Sequence, residues 1–157
     1  MTNTAEYPDV TIRNLRPADL AAVIAIDALD TGLRRAEFYQ LKLKQALSDT
    51  GIMVSLGAEL DGLLVGFLLA RVYYGEFGVL GRVAVLDAIG VHPDFQGRHV
   101  GSALIDQLRT NLLGLGIATL RTEVGWDNLA MIQFFHRERF APAPRLCLDL
   151  DLGATRS

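Results

Sequence analysis

The stretch Asp87–Ala103 constrains the fold most. It reads Asp87-Ala88-Ile89-Gly90-Val91-His92-Pro93-Asp94-Phe95-Gln96-Gly97-Arg98-His99-Val100-Gly101-Ser102-Ala103. An apolar run, Val83–Val91, has strand character and stops at Pro93, which cannot donate to a ladder. A glycine-bearing loop follows. A helix is then predicted over about Val100–Leu113, with Val100, Leu104, Leu108 and Leu112 on one stripe. Gly114-Leu115-Gly116 ends that helix, and Ile117–Val124 reads as a further strand. Strand, crossover helix and second strand form a βαβ unit, so the two strands lie parallel. A glycine loop at a helix N-terminus gathers amides that have no intrahelical acceptor, and the helix dipole adds roughly +0.5 charge there. The stretch is therefore a candidate anion site.

The remaining segments supply a sheet and its covering helices. Val10-Thr11-Ile12-Arg13 is a short strand, and Arg16-Pro17-Ala18-Asp19 opens a helix whose buried stripe is Leu20, Val23 and Ile24. Thr31-Gly32 breaks it. A second helix, about Arg35–Leu47, places Tyr39, Leu43, Ala46 and Leu47 at helical spacing. From Gly51 the period is two: Ile52, Val54, Leu56, Ala58 and Leu60 alternate with Met53, Ser55, Gly57, Glu59 and Asp61. Asp61-Gly62 is a type I′ hairpin signal, and Leu63–Tyr73, apolar on both faces, returns inside the sheet. Tyr74–Gly81 connects it to Val83–Val91. Late in the chain, Asp127 or Asn128 caps a helix over about Leu129–Arg137, and Arg145–Leu152 alternates as a final edge strand. The order β-α-α-β-β-β-α-β-α-β implies an α/β fold, a mixed sheet flanked by helices, in one domain over residues 1–157.

Composition narrows the function classes. The chain has 157 residues, half of them hydrophobic, and a formal net charge of −3. That balance gives no basic footprint for nucleic acid or for an anionic membrane surface. No apolar run reaches the roughly 18 residues a membrane span needs, and Met1–Asp9 is too polar for a signal peptide. The single Cys147 cannot form an intrachain disulfide, which fits a reducing cytoplasm, and in the last strand it reads as a small core residue. His92 and His99 lie seven apart with no third ligand in view, so no metal site is expected.

The element order and the opening stretch together resemble the GNAT superfamily of N-acetyltransferases. Its phosphate-loop pattern, Gln/Arg-x-x-Gly-x-Gly/Ala, is matched by Gln96-Gly97-Arg98-His99-Val100-Gly101, with His99 in place of the first glycine. Val91-His92-Pro93 upstream and Ser102-Ala103-Leu104 downstream also fit. The family's Asn-led helix, closing on Tyr-x-x-x-Gly-Phe, corresponds to Asn128 through Phe135-His136-Arg137-Glu138-Arg139-Phe140, with Phe135 for tyrosine and Arg139 for glycine. The resemblance implies acetyl-CoA, or another acyl-CoA, in a cleft between the splayed strands Val83–Val91 and Ile117–Val124. Gly90 would lie near the bulge that opens the cleft. Backbone groups of Ile89 and Val91 would pair with the pantetheine arm. The amides of Gln96, Gly97, Arg98, His99, Val100, Gly101 and Ser102 would hold the diphosphate. Asn128, and Phe135 at the tyrosine position, would approach the cofactor from the last helix.

Acyl transfer from a thioester to an amine needs a base for the amine, oxyanion donors, and a proton for the leaving thiolate. Asp87 and Glu123, one on each cleft strand, are the candidate bases. Asp87 shares a face with Val85, Ile89 and Val91 by the two-residue period; its other reading is an ion pair with Arg71 or Arg121. Backbone amides around Ile89–Val91 would bind the oxyanion. Phe135 cannot supply a proton, and Tyr73 and Tyr74 are candidate substitutes. The expectation is direct transfer to a small-molecule or protein amine, with a slight lean toward a cationic acceptor from the net charge. A homodimer could form through the last strand. A non-catalytic acyl-CoA sensor of the same fold is the alternative, carried by Phe135.

Overall fold

A computed structural model of the chain describes residues 10–48, 54–74 and 81–153. The expectations for Met1–Asp9, Ile52 and Met53, and most of the Tyr74–Gly81 connection lie outside the described residues. So do those for the side chains of Ala46, Leu47 and Tyr74. The chain divides at Glu123 into two compact units.

The first unit is built on a five-stranded mixed sheet in the order β1-β2-β3-β4-β5. Its strands are β1 (Thr11–Asn14), β2 (Leu56–Leu60), β3 (Leu63–Tyr74), β4 (Arg82–Val91) and β5 (Leu120–Thr122). All neighbours are antiparallel except β4 and β5, which run parallel across α3 (Val100–Gly114) as the βαβ reading requires. The β2–β3 hairpin turns on Asp61 and Gly62 at φ 50° and 80°, the two positive values a type I′ turn demands.

Two helices cover one face. Arg16-Pro17-Ala18-Asp19 forms a single 3-10 turn that leads into α1 (Leu20–Thr31), and Gly32, at φ 77°, ends it; α2 is Ala36–Ser48. Val23, Ile24 and Ile26 of α1, and Tyr39 and Leu43 of α2, pack with Phe67 and Leu69 of β3 into one cluster. Asp27 is buried in the same helix pair, where its carboxylate accepts from Tyr39 Oη at 2.8 Å and from Arg35 Nε at 2.8 Å. A buried carboxylate needs such partners. The burial and the Asp27 bond both push the Tyr39 phenol well above its ordinary range.

Helix α3 covers the other face. Its stripe of Val100, Leu104, Leu108 and Leu112 is buried, and a Cβ at Gly66 of β3 would lie 2.9 Å from Val100 Cγ1. Gly66 is therefore what lets the helix approach so closely. With helices on both faces, the stretch from Val54 to Ala58 does not alternate as expected: Ser55 and Gly57 are buried along with Val54, Leu56 and Ala58. Ser55 Oγ exchanges hydrogen bonds with the amide and carbonyl of Ala70 (3.0 and 3.1 Å), standing in for a missing ladder contact.

Two expected strands are corrected. Ile117–Val124 contracts to Leu120–Thr122, because its ladder with β4 stops at the Leu86–Thr122 pair. Arg145–Leu152 is not a strand. It has no ladder partner among the described residues, and Leu146, Leu148, Leu150 and Leu152 are 82–88% exposed. Alternation qualifies a segment for pairing, but a strand exists only where another backbone meets it. Cys147 is accordingly exposed rather than a core residue.

The second unit contains α4 (Leu129–Arg137). Asn128, rather than Asp127, caps it, its Oδ1 accepting from Met131 N at 3.3 Å.

Candidate functional site

The site begins with one extra residue. Across β3 and β4, Leu69 pairs with Ala88 and Ala70 with Leu86, so Asp87 has no partner: it is a β-bulge. The bulge is at Asp87 and not near Gly90, which is paired with Phe67 and whose missing Cβ would sit 2.7 Å from the Phe67 ring. Gly90 thus serves close packing against a fully buried ring.

The bulge also switches the alternation of the backbone. Before it, Ala84 N donates toward β5, to Thr119 O at 3.0 Å, and Leu86 O accepts from Thr122 Oγ1 at 3.0 Å. After it, His92 N donates the opposite way, to Val65 O at 2.8 Å. Even-numbered residues face β5 before Asp87 and β3 beyond it. Ile89 and Val91 therefore turn their N–H and C=O groups toward the side where β5 has already ended. The expected backbone edge exists, but Ala88, not Ile89, lies with Asp87 on the α1/α2 face, against the cluster of Phe67 and Leu69.

This open edge runs into the glycine loop. Pro93–Phe95 forms a 3-10 turn, with His92 Nδ1 accepting from Asp94 N at 3.1 Å, so His92 is a turn cap. Gln96 Nε2 donates to Asp30 Oδ1 on α1 (2.7 Å) and to Val91 O (3.3 Å), pinning the loop to both neighbours. Gly97 has φ 79° and His99 φ 61°. His99 keeps the left-handed backbone that suits a glycine at this position, at a cost of about 1–2 kcal/mol. It is the N-cap of α3, and its side chain makes no capping bond. The first internal bond of the helix is Ala103 N to His99 O. The amides of Val100 and Gly101 precede it and have no intrahelical acceptor by helix geometry. Arg98 is exposed, its guanidinium 5.3 Å from the Phe95 ring centroid. Ser102 follows in the first turn.

At the fork between β4 and β5, Asp87 is engaged by cations. Arg71 Nε of β3 lies 3.1 Å from Oδ2, and Lys42 Nζ of α2 lies 3.7 Å from Oδ1. The ion-pair reading of Asp87 holds, with Arg71 as partner. Lys42 was not foreseen. Its signal was its place beside Tyr39 and Leu43, at the margin of the buried stripe of α2. Arg71 also lies against the Tyr73 ring (5.4 Å), and Arg121 Nη1 of β5 approaches Tyr73 Oη at 3.3 Å. Glu123 is exposed, one residue beyond the end of β5, with no hydrogen bond or ion pair among the described residues. The structure thus brings Asp87, but not Glu123, into a bonded cluster.

In the second unit, Phe135 is buried between Phe134 and Phe140, with ring centroids at 5.4 and 4.9 Å. Arg139 has φ 72°, again the backbone of the glycine it replaces. Among the described residues, no group of three or more His, Cys, Asp or Glu could hold a metal ion. No described helix is long and apolar enough to cross a membrane.

A family model described as "Acetyltransferase (GNAT) family" matches residues 20–139. The chain belongs to the GNAT family. An acetyltransferase of Pectobacterium atrosepticum is 31% identical over 126 residues, which are 80% of this chain and 84% of the relative. A Yersinia enterocolitica acetyltransferase is 37% identical over 82 residues, 52% of this chain and 53% of its own length. Among solved structures, a ribosomal-protein-alanine N-acetyltransferase from Brucella melitensis biovar Abortus 2308 superposes with a TM-score of 0.70 at 24% identity (92% of this chain, 99% of that one). An aminoglycoside N-acetyltransferase in complex with CoA gives 0.74 at 18% identity (91% and 95%). At those identities the two structures establish a shared GNAT fold. The open β4 edge and the glycine loop at the α3 N-terminus suit the amide-rich arm and the diphosphate of an acyl-CoA.

Proposed function

We propose that this GNAT protein transfers an acetyl group from acetyl-CoA to a primary amine by direct attack in a ternary complex. The observation that carries the reading is the backbone switch at Asp87. It turns the main-chain groups of Ile89 and Val91 outward along an edge that leads into the α3 N-terminus. The pantetheine amides would extend the sheet along that edge, and the loop from Gln96 to Ser102 would hold the diphosphate. The amides of Ile89 and Val91 also supply oxyanion donors for the thioester carbonyl. The amine nitrogen forms the new C–N bond, the C–S bond breaks, and the amine's proton passes to Asp87 and on through solvent to the thiolate. Two structural neighbours support this reading: one is a ribosomal-protein-alanine N-acetyltransferase, and another is an N-acetyltransferase in complex with CoA. A cytoplasmic setting, with no nucleic acid or membrane partner, accords with the charge and the single cysteine.

The test is calorimetric titration of acetyl-CoA into wild type and Gly101→Val, followed by thiol release with a panel of amines. Binding to wild type, a strong loss in a folded Gly101→Val, and turnover of at least one amine are expected. No acetyl-CoA binding overturns the reading. Phe135 favours a second reading, since a phenyl ring buried between two others offers no proton. Tight acetyl-CoA binding without turnover of any amine would make this an acyl-CoA sensor.

A further inference from the structure

The side chains around Asp87 carry more positive charge than the ion pairs use. Lys42, Arg71 and Arg121 come from three different elements and converge on one carboxylate and one tyrosine, within 3.1–3.7 Å of Asp87 or Tyr73. Among the described residues of this cluster, three cations face one anion. Glu123, exposed and two residues beyond Arg121, would still leave an excess of positive charge if it were included. The cluster is reachable from solvent: the side chains of Arg71 and Lys42 are 36% and 29% exposed, whereas Asp87 is 14%. Arg71 bonds Asp87 through Nε, which leaves its two Nη groups out of that bond. Half-buried cations are screened less than surface ones and act strongly on a charged ligand at close range.

The position fixes what that charge acts on. Asp87 is the bulge residue at the fork of β4 and β5, and its side chain points to the α1/α2 face. The acyl-CoA edge runs the other way, from Ile89 toward the glycine loop. The charged cluster therefore borders the acceptor's end of the cleft.

We propose that the acceptor amine carries an anionic group, a carboxylate or a phosphate, seated against Arg71, Arg121 and Lys42, with the amine directed toward Asp87. This rests on the acetyltransferase reading and names its substrate class. It reverses the slight lean toward a cationic acceptor that the net charge suggested. A polycation would meet three like charges there, whereas an amino acid, an acidic peptide or a phosphorylated amine would complete the pairing.

The experiment measures thiol release from acetyl-CoA with three sets of amines. One carries a carboxylate (glutamate, 4-aminobutyrate, an Asp-Glu dipeptide), one a phosphate (phosphoethanolamine), and one only positive charge (spermidine, kanamycin). Anionic amines should be the better acceptors by kcat/KM, with the carboxylate and phosphate arms identifying the group. Arg71→Gln should raise KM for the best anionic acceptor by about tenfold, while acetyl-CoA affinity by calorimetry stays within a factor of two. Faster turnover of spermidine or kanamycin overturns the proposal and leaves the acetyltransferase reading standing. If no amine turns over, binding of the same amines to the CoA-loaded protein is read by calorimetry. Tighter binding of the polycations, or no millimolar binding of any anionic amine, also overturns it. Failure of acetyl-CoA itself to bind is a separate result, which removes the parent reading.

Discussion

Arg71 Nε lies 3.1 Å from Asp87 Oδ2, linking the third strand to the one unpaired residue of the fourth. The pair ties β3 to β4 where the ladder is interrupted, and it orients the carboxylate beside the cleft. Asp87→Asn keeps the shape and removes the charge. It should lower acceptor turnover by about tenfold or more, leave acetyl-CoA affinity within twofold, and reduce stability by about 1 kcal/mol. Steady-state kinetics beside calorimetry and urea melts check this. Equal losses of turnover and acetyl-CoA affinity would give the residue a structural role only.

His99 and Arg139 occupy left-handed backbone at φ 61° and 72°, which glycine adopts without a Cβ penalty. His99→Gly and Arg139→Gly should each raise stability by about 0.5–1 kcal/mol, since the relief of strain exceeds the added freedom of the unfolded chain. The shift in urea midpoint measures it, and a lower midpoint in either variant refutes the strain assignment at that position.

Gly90 abuts the Phe67 ring, which is fully buried. Gly90→Ala should destabilise by about 1–3 kcal/mol through overpacking. Gly97→Ala is strained for a different reason, since its φ is 79° with open space around it. The first variant should show its effect in the melt with acetyl-CoA affinity kept; the second should show both effects.

The Arg13 guanidinium holds the Asp19 carboxyl below its ordinary range, with side-chain hydrogen bonds of 2.8 and 2.9 Å. The folded state therefore favours the ionised form. That contribution is present above the unfolded value of about 3.9 and is lost as pH falls through the lower folded value. Asp19→Asn should melt below wild type at pH 6–7, a gap of about 1 kcal/mol, and the gap should close as pH approaches about 2. A gap independent of pH would mean that charge has no part in it.

The legible parts of this chain were those encoded locally. The α3 stripe, the Asp61-Gly62 turn and the parallel crossover each rest on a few neighbouring residues, and each formed as read. The bulge was not legible in detail, because one extra residue changes no composition and interrupts no hydrophobic run. Its presence was implied by the GNAT resemblance, but its position depends on how Leu69 and Ala70 pair with β4. Arg145–Leu152 shows the converse: a clean period of two, yet no backbone to pair with among the described residues. Lys42 was missed because its role is set by a partner 45 residues away.

Recognition along the outward edge of β4 is a matter of main chain more than of residue identity. Ile89 and Val91 present main-chain groups, so aliphatic exchanges there would leave those hydrogen-bonding groups in place. Removing Asp87 would restore unbroken alternation and leave Ile89 and Val91 facing the same outward side, because Ala88 and Gly90 would keep Leu69 and Phe67 as partners. The edge would survive such a deletion intact, and the carboxylate that Arg71 and Lys42 hold beside it would be gone.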